Sequence, residues 1–147
     1  MFVYADNAAT TKMSKTAQKT MIDAMERVWG NPSSLHTTGQ EAKEALEGAR
    51  ETIARLLGAD SPHEIYFTSG GSEADNQAIR SAAFYGAKKG KKHIISTAFE
   101  HHAVLHTLKK LEKEGFEITL LDVHENGIVT AEQVKEPAGS SARSRRL

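Results

Sequence analysis

The chain contains no cysteine among its 147 residues. That excludes a disulfide framework and any thiol chemistry carried by the chain itself. Nor is there a surplus of either charge: 19 basic residues face 19 acidic ones. No single-sign field therefore argues for nucleic acid or an anionic membrane as a partner. No apolar run approaches the roughly 20 residues of a membrane span. An acid arrives at Asp6, too early for a signal peptide, so the cytoplasm is the expected location. Apolar residues make up 39%, a little low for a self-sufficient globule but not a disordered composition.

What is present is organised around Phe67-Thr68-Ser69-Gly70-Gly71-Ser72-Glu73-Ala74-Asp75-Asn76. A β-like run, Glu64-Ile65-Tyr66-Phe67, precedes it, and a helix is predicted from Glu73 to Lys88. Strand, glycine-rich turn and helix together are the layout of an anion cradle. Two glycines let backbone approach an oxyanion with no Cβ in the way. The first amides of the helix lack internal partners and point outward, and the helix dipole favours negative charge there. Hydroxyls of Thr68, Ser69 and Ser72 can add donors, and a phosphate is the ligand such a turn suits best. The same residues also allow a plain turn, with Ser72 as a helix cap and Asp75 completing a weak capping box. Neither a Walker loop nor a dinucleotide fingerprint is present.

Upstream, Ser14 is expected to cap a helix reaching about Trp29, with Ala17, Met21, Met25 and Val28 on one stripe. A second helix is predicted over Gln40–Leu57, its apolar stripe formed by Ala42, Leu46, Ala49, Ile53 and Leu56. His36, between the two, reads as a loop or capping residue. From Gly58 on, strands expected at 64–67, 93–97 and 116–123 alternate with helices over 73–88, from Glu100 to Gly115 and from Thr130 to about Lys135. That order implies an α/β fold with a mainly parallel sheet and helices on both faces. Ligands of such sheets sit at the carboxyl ends of the strands. Ser72 and His101 each follow a strand end, so they are candidates for one site. The expected organisation is an N-terminal arm with two helices (1–57), an α/β part (58–136) and a tail (137–147). The tail has no apolar period and ends in clustered arginines. It reads either as a disordered basic tail or as the mark of a continuation lost by truncation or a shifted frame. His102 and His106 lie four apart on one helix and invite a metal-site reading with Glu100 or His101. Four donors in a known geometry are not visible, and no metal is expected.

Four motifs in this order and at these separations carry a resemblance. They are Asp6-Asn7-Ala8-Ala9-Thr10-Thr11, Gly30-Asn31-Pro32-Ser33-Ser34-Leu35-His36, the turn at 67–76, and Glu100-His101-His102-Ala103-Val104. Together they resemble the start of the cysteine desulfurases, pyridoxal-phosphate enzymes of the class V aminotransferase group, over about residues 1–136. The resemblance implies the N-terminal part of a fold-type I pyridoxal-phosphate transferase, here incomplete. It implies that Gly71 and Ser72 hold the cofactor phosphate, although the family usually has Thr where Ser72 stands. It gives His101 the place of the imidazole that stacks on the pyridine ring. Asn7, Ala8 and Ala9 match a segment near the substrate entrance, and Asn31 and His36 a loop near the active site and dimer contact. The implied parent reaction takes L-cysteine to L-alanine and an enzyme persulfide. Its sulfur goes to an acceptor protein for iron–sulfur cluster or thio-cofactor synthesis, and the parent is expected to be a homodimer. The family's Schiff-base Lys, its Asp on the pyridine nitrogen and its persulfide Cys all lie outside the matching span. No lysine of this chain is assigned the Schiff-base role, so a fragment without turnover is expected. Alternatives are a selenocysteine lyase, another class V aminotransferase, or a non-catalytic binding module.

Overall fold

The structure, a computed structural model, describes residues 1–123 and 127–139. Two compact units divide the chain, the first from Met1 to Tyr66 and the second from Phe67 onward.

The first unit holds α1 (Lys15–Arg27), α2 (Thr37–Leu57) and a 3-10 turn at Pro62–Glu64. Ser14 caps α1 as expected, its Oγ accepting from the Ala17 amide at 3.1 Å. The apolar stripe of α1 covers no core: no residue of α1 is buried, and Met25 is 65% exposed. The periodicity is real, yet no described residue forms a second layer over it. Helix α2 begins at Thr37, three residues before the expected Gln40, because His36 caps it. The Nδ1 of His36 accepts from the Gly39 amide at 3.3 Å. Ala42 and Ala54 turn inward. Around this start the chain crosses itself closely. A Cβ on Gly30 would lie 2.2 Å from the Thr38 carbonyl oxygen, and one on Gly39 would lie 2.6 Å from Ser34. Only bare backbone fits at these two crossings.

The strand expected at Glu64–Phe67 does not form, and local turn chemistry explains why. Ser61 Oγ accepts from the His63 amide at 3.2 Å. Pro62 opens the 3-10 turn, and the Ile65 amide returns to the Pro62 carbonyl at 3.1 Å. The Arg50 guanidinium donates to the Ile65 carbonyl. Backbone groups committed in this way cannot join a ladder.

The second unit runs α3 (Gly71–Ala87), β1 (His93–Thr97), α4 (His102–Lys113), β2 (Glu117–Leu121) and α5 (Ala131–Gly139). Strands β1 and β2 are parallel, in register from His93 opposite Glu117 to Thr97 opposite Leu121. Parallel neighbours need a crossover, and α4 supplies it. The sheet is parallel as expected, but among the described residues it has two strands rather than three. Its core gathers Ala83 of α3, Leu108 and Leu111 of α4, Phe116 and Ile118, with Ile79, Ile94 and Val104 packed against them. Phe84 meets Phe116 edge to face at 5.7 Å, a favoured aromatic geometry. Helix α4 turns into β2 at Gly115, whose φ is 90°. The Phe116 amide bonds back to the Leu111 carbonyl at 3.1 Å and the Gly115 amide to Glu112 at 3.0 Å, a Schellman ending. Helix α5 reaches Gly139, past the expected end near Lys135, so the first residues of the expected tail are helical. Residues 140–147 of that tail, and 124–126 of the turn before α5, lie outside the described residues.

Candidate functional site

The glycine-rich turn opens α3, but the helix is capped by Gly70, which offers no side chain. Ser72 therefore lies inside the first turn and is not the cap. Ser72 is exposed, and a Cβ on Gly70 or Gly71 would meet nothing within 4 Å. The turn is thus open rather than packed against protein. The amides of Gly71, Ser72 and Glu73 have no hydrogen-bond partner among the described residues, as a free helix start requires. Two of the three hydroxyls expected to face an anion are committed elsewhere. Thr68 donates to the Gly70 carbonyl at 3.2 Å, and Ser69 donates to Glu73 Oε2 at 2.7 Å. The Ser72 hydroxyl alone has no partner among the described residues.

Glu73 completes the cap in a way the sequence reading gave to Asp75. Its Oε2 accepts both the Ser69 hydroxyl and the Ser69 amide, each at 2.7 Å. The hydroxyl bond, and then the amide bond, hold the Glu73 carboxyl below its ordinary value, with desolvation opposing. A lowered folded-state pKa means the contact is intact above the ordinary carboxylate range and is lost as pH falls through the lowered value. The Ser69 amide resonance is expected to move in one acid step, and Glu73→Gln is expected to abolish that step. A Ser69 resonance that titrates identically in both proteins would show that Glu73 is not its partner.

His101 arrives by a separate route. Strand β1 ends at Thr97, whose hydroxyl donates to Glu100 Oε1 at 2.6 Å, tightening the turn that follows. His101 then caps α4, its Nδ1 accepting from the Ala103 amide at 3.1 Å. With Nδ1 as acceptor, the neutral ring carries its proton on Nε2. Ser72 and His101 line the same cleft, of about 430 Å³. The floor between them is Asn76 and Thr107, and one wall continues along α4 through His102, His106 and Lys110. The rings of His102 and His106 stack, with centroids 5.3 Å apart and an angle of 21°. Among the described residues no three potential metal ligands converge.

The family pattern described as Aminotransferase class-V matches residues 3–143. The chain belongs to the class-V aminotransferases. It is 49% identical over 134 residues to the cysteine desulfurase IscS of Neisseria meningitidis, a match covering 90% of this chain and 33% of that one. Among solved structures, a NifS-like protein aligns with a TM-score of 0.83 at 40% identity, covering 92% of this chain and 37% of the other. A structure titled SspA in complex with cysteine aligns with a TM-score of 0.78 at 38% identity, covering 92% and 38%. The chain spans about a third of the length of the curated relatives it matches. The fold is the corresponding part of the fold-type I pyridoxal-phosphate enzymes.

In this class-V chain, Gly71, Ser72 and His101 fall within the second unit, and the cleft brings Ser72 and His101 together. Asn7, Ala8, Asn31 and His36 belong to the first unit. There, Asn7 and Ala8 sit in an exposed turn closed by the Ala9 amide on the Asp6 carbonyl at 3.2 Å. Asn31 Oδ1 accepts from the Ser33 amide at 2.9 Å, and His36 caps α2. His102 is exposed and also lines the cleft. Sequence reasoning did not single out Asn76, Thr107 or Lys110 for the site. The spacing of His102, His106 and Lys110, one helical turn apart each, is the signal that would have placed them on one wall. No helix among the described residues is long and apolar enough to cross a membrane.

Proposed function

We propose that this class-V chain supplies the phosphate cup and the ring-facing imidazole of a pyridoxal-phosphate site, and that the parent enzyme is a cysteine desulfurase. One observation carries the reading: a partnerless Ser72 hydroxyl, beside three open amides, lines the same cleft as His101. These residues fit the group. Gly70 and Gly71 leave open space where a phosphoryl group would sit, and the cap to Ala103 fixes the His101 ring. When bound, pyridoxal phosphate supplies the electron sink for bond breaking in the amino acid. The chain's own part is to bind and orient. The amides of Gly71 and Ser72, with the Ser72 hydroxyl, would donate to phosphate oxygens, and the α3 dipole would add to their attraction. The His101 imidazole would face the electron-poor ring.

L-cysteine as the parent's substrate is supported by the cysteine desulfurase names of the relatives and by the cysteine in a neighbour's title. Release of L-alanine, transfer of sulfur through a Cys outside this chain to an acceptor protein, a homodimeric parent and a cytoplasmic location belong to the same proposal. So does a place for Asn7, Ala8, Asn31 and His36 near the substrate.

The test is a titration of the purified chain with pyridoxal phosphate, followed by absorbance and competed with inorganic phosphate. Ser72→Ala is expected to weaken binding about tenfold, the scale of one hydrogen bond to a charged group. His101→Ala is expected to weaken pyridoxal phosphate and leave inorganic phosphate unaffected. Added L-cysteine is expected to yield no more alanine than free cofactor does. Unchanged affinity in both variants would overturn the assignment.

A further inference from the structure

We propose that Asn76 and Thr107 form a clamp that sets the spacing between the phosphate-binding turn and the imidazole of His101. Both are then positioning residues for a ligand gripped at two points. The inference rests on the reading of the cleft given above.

Thr107 is the buried polar residue among those described, 3% exposed. Its hydroxyl lies 2.6 Å from Asn76 Oδ1 and 2.7 Å from the Ala103 carbonyl oxygen. Asn76 Nδ2 donates to the Ser72 carbonyl at 2.8 Å and reaches the Ala103 carbonyl at 3.5 Å. The amide orientation follows from these neighbours. Nδ2 faces two carbonyl oxygens, and Oδ1 in its place would crowd three acceptors together. Oδ1 is therefore left to accept, and the single Thr107 proton serves it and Ala103 together. A continuous path of contacts results: Ser72 to Asn76, Asn76 to Thr107, Thr107 to Ala103, and Ala103 to His101 through the cap.

Each end of that path carries one half of the proposed recognition. Further along the helices the apolar cluster holds α3 to α4 through Ala83, Leu108 and Leu111. On the floor of the cleft the polar clamp does so. Inorganic phosphate needs only the α3 turn and is indifferent to the spacing. Pyridoxal phosphate needs the turn and the ring at a set distance.

The experiment uses the full chain with Thr107→Val, Asn76→Ala and the conservative Thr107→Ser, each checked for helix content by circular dichroism. Thr107→Val and Asn76→Ala are expected to weaken pyridoxal phosphate by about tenfold, the upper range for one lost neutral hydrogen bond. Inorganic phosphate should stay within about twofold, and Thr107→Ser should restore the loss. A second arm needs no ligand. Because the chain has no cysteine, nitroxide labels at Gln77→Cys and Lys109→Cys read the α3–α4 distance cleanly. Thr107→Val is expected to broaden that distribution and Thr107→Ser to leave it narrow. An unchanged distribution in Thr107→Val overturns the clamp, whatever binds. Equal weakening of both ligands overturns the positioning role. Failure of the unmodified chain to bind pyridoxal phosphate at all counts against the cofactor reading, and the distance arm then decides the clamp by itself.

Discussion

Gly39→Ala is expected to break the joint that starts α2. The new methyl would stand 2.6 Å from both the Ser34 Cβ and its carbonyl oxygen, and 2.8 Å from the Asn31 carbonyl oxygen. Two of these contacts are backbone, so no side-chain rotation relieves them. Overpacking of this kind costs about 3 kcal/mol at the upper end of its usual range. The damage is also specific, because the Gly39 amide is the group that His36 caps. Displacing it removes the cap from a 21-residue helix. Gly48→Ala, in the interior of the same helix, is the internal control. A Cβ there meets nothing within 4 Å, and the change should stabilise α2 by up to about 1 kcal/mol. Chemical denaturation followed by helix ellipticity measures both. If the two variants unfold alike, the crossing at Gly39 is not as close as described.

The second large effect is expected in the other unit. Leu111 is 0% exposed and lies at the centre of the cluster that joins α3, α4 and β2. Leu111→Ala is expected to cost about 2–5 kcal/mol, transfer and cavity contributions together. That is a large fraction of the stability of a small domain. The readout is the denaturation midpoint, with near-ultraviolet signal from the Phe84–Phe116 pair reporting local packing. The cleft should be lost with the core, because α4 carries both His101 at its cap and Thr107 on the cleft floor. A loss below about 1 kcal/mol would mean that the cluster around Leu111 is loosely filled.

Several elements were legible from residues alone because one strong local signal governed each. Ser14 announced α1, the Ile94–Ile95 run announced β1 at its observed bounds, and the alternation of helix and strand announced a parallel pair. Ser72 and His101 were expected in one site by following two strand ends to their loops, and both line one cleft although the strand before Ser72 does not form. What was missed has physical causes. Ile65-Tyr66-Phe67 is strand-like in composition, but Ser61 and Pro62 impose a turn that uses its neighbouring backbone groups. The stripe of α1 was read correctly as apolar, yet periodicity says which side is oily and not whether anything covers it. Ser72 looked like a cap because it is a hydroxyl residue at a helix start. The open glycine before it and the carboxylate of Glu73 share that task instead. Asn76 and Thr107 are single polar residues on helices and carry no pattern. Their significance depends on a contact across 31 positions of sequence, which no local window contains.

Strand β1 has an unusual accessibility for one of two strands paired among the described residues. All five residues from His93 to Thr97 are half-buried, with no alternation between a wet and a dry side. A ribbon lying on a single core would show that alternation. Uniform shielding instead suits a strand from the middle of a broad, covered sheet. Its outer row of peptide groups is then a seam at which another strand can be added without altering a side chain already in place.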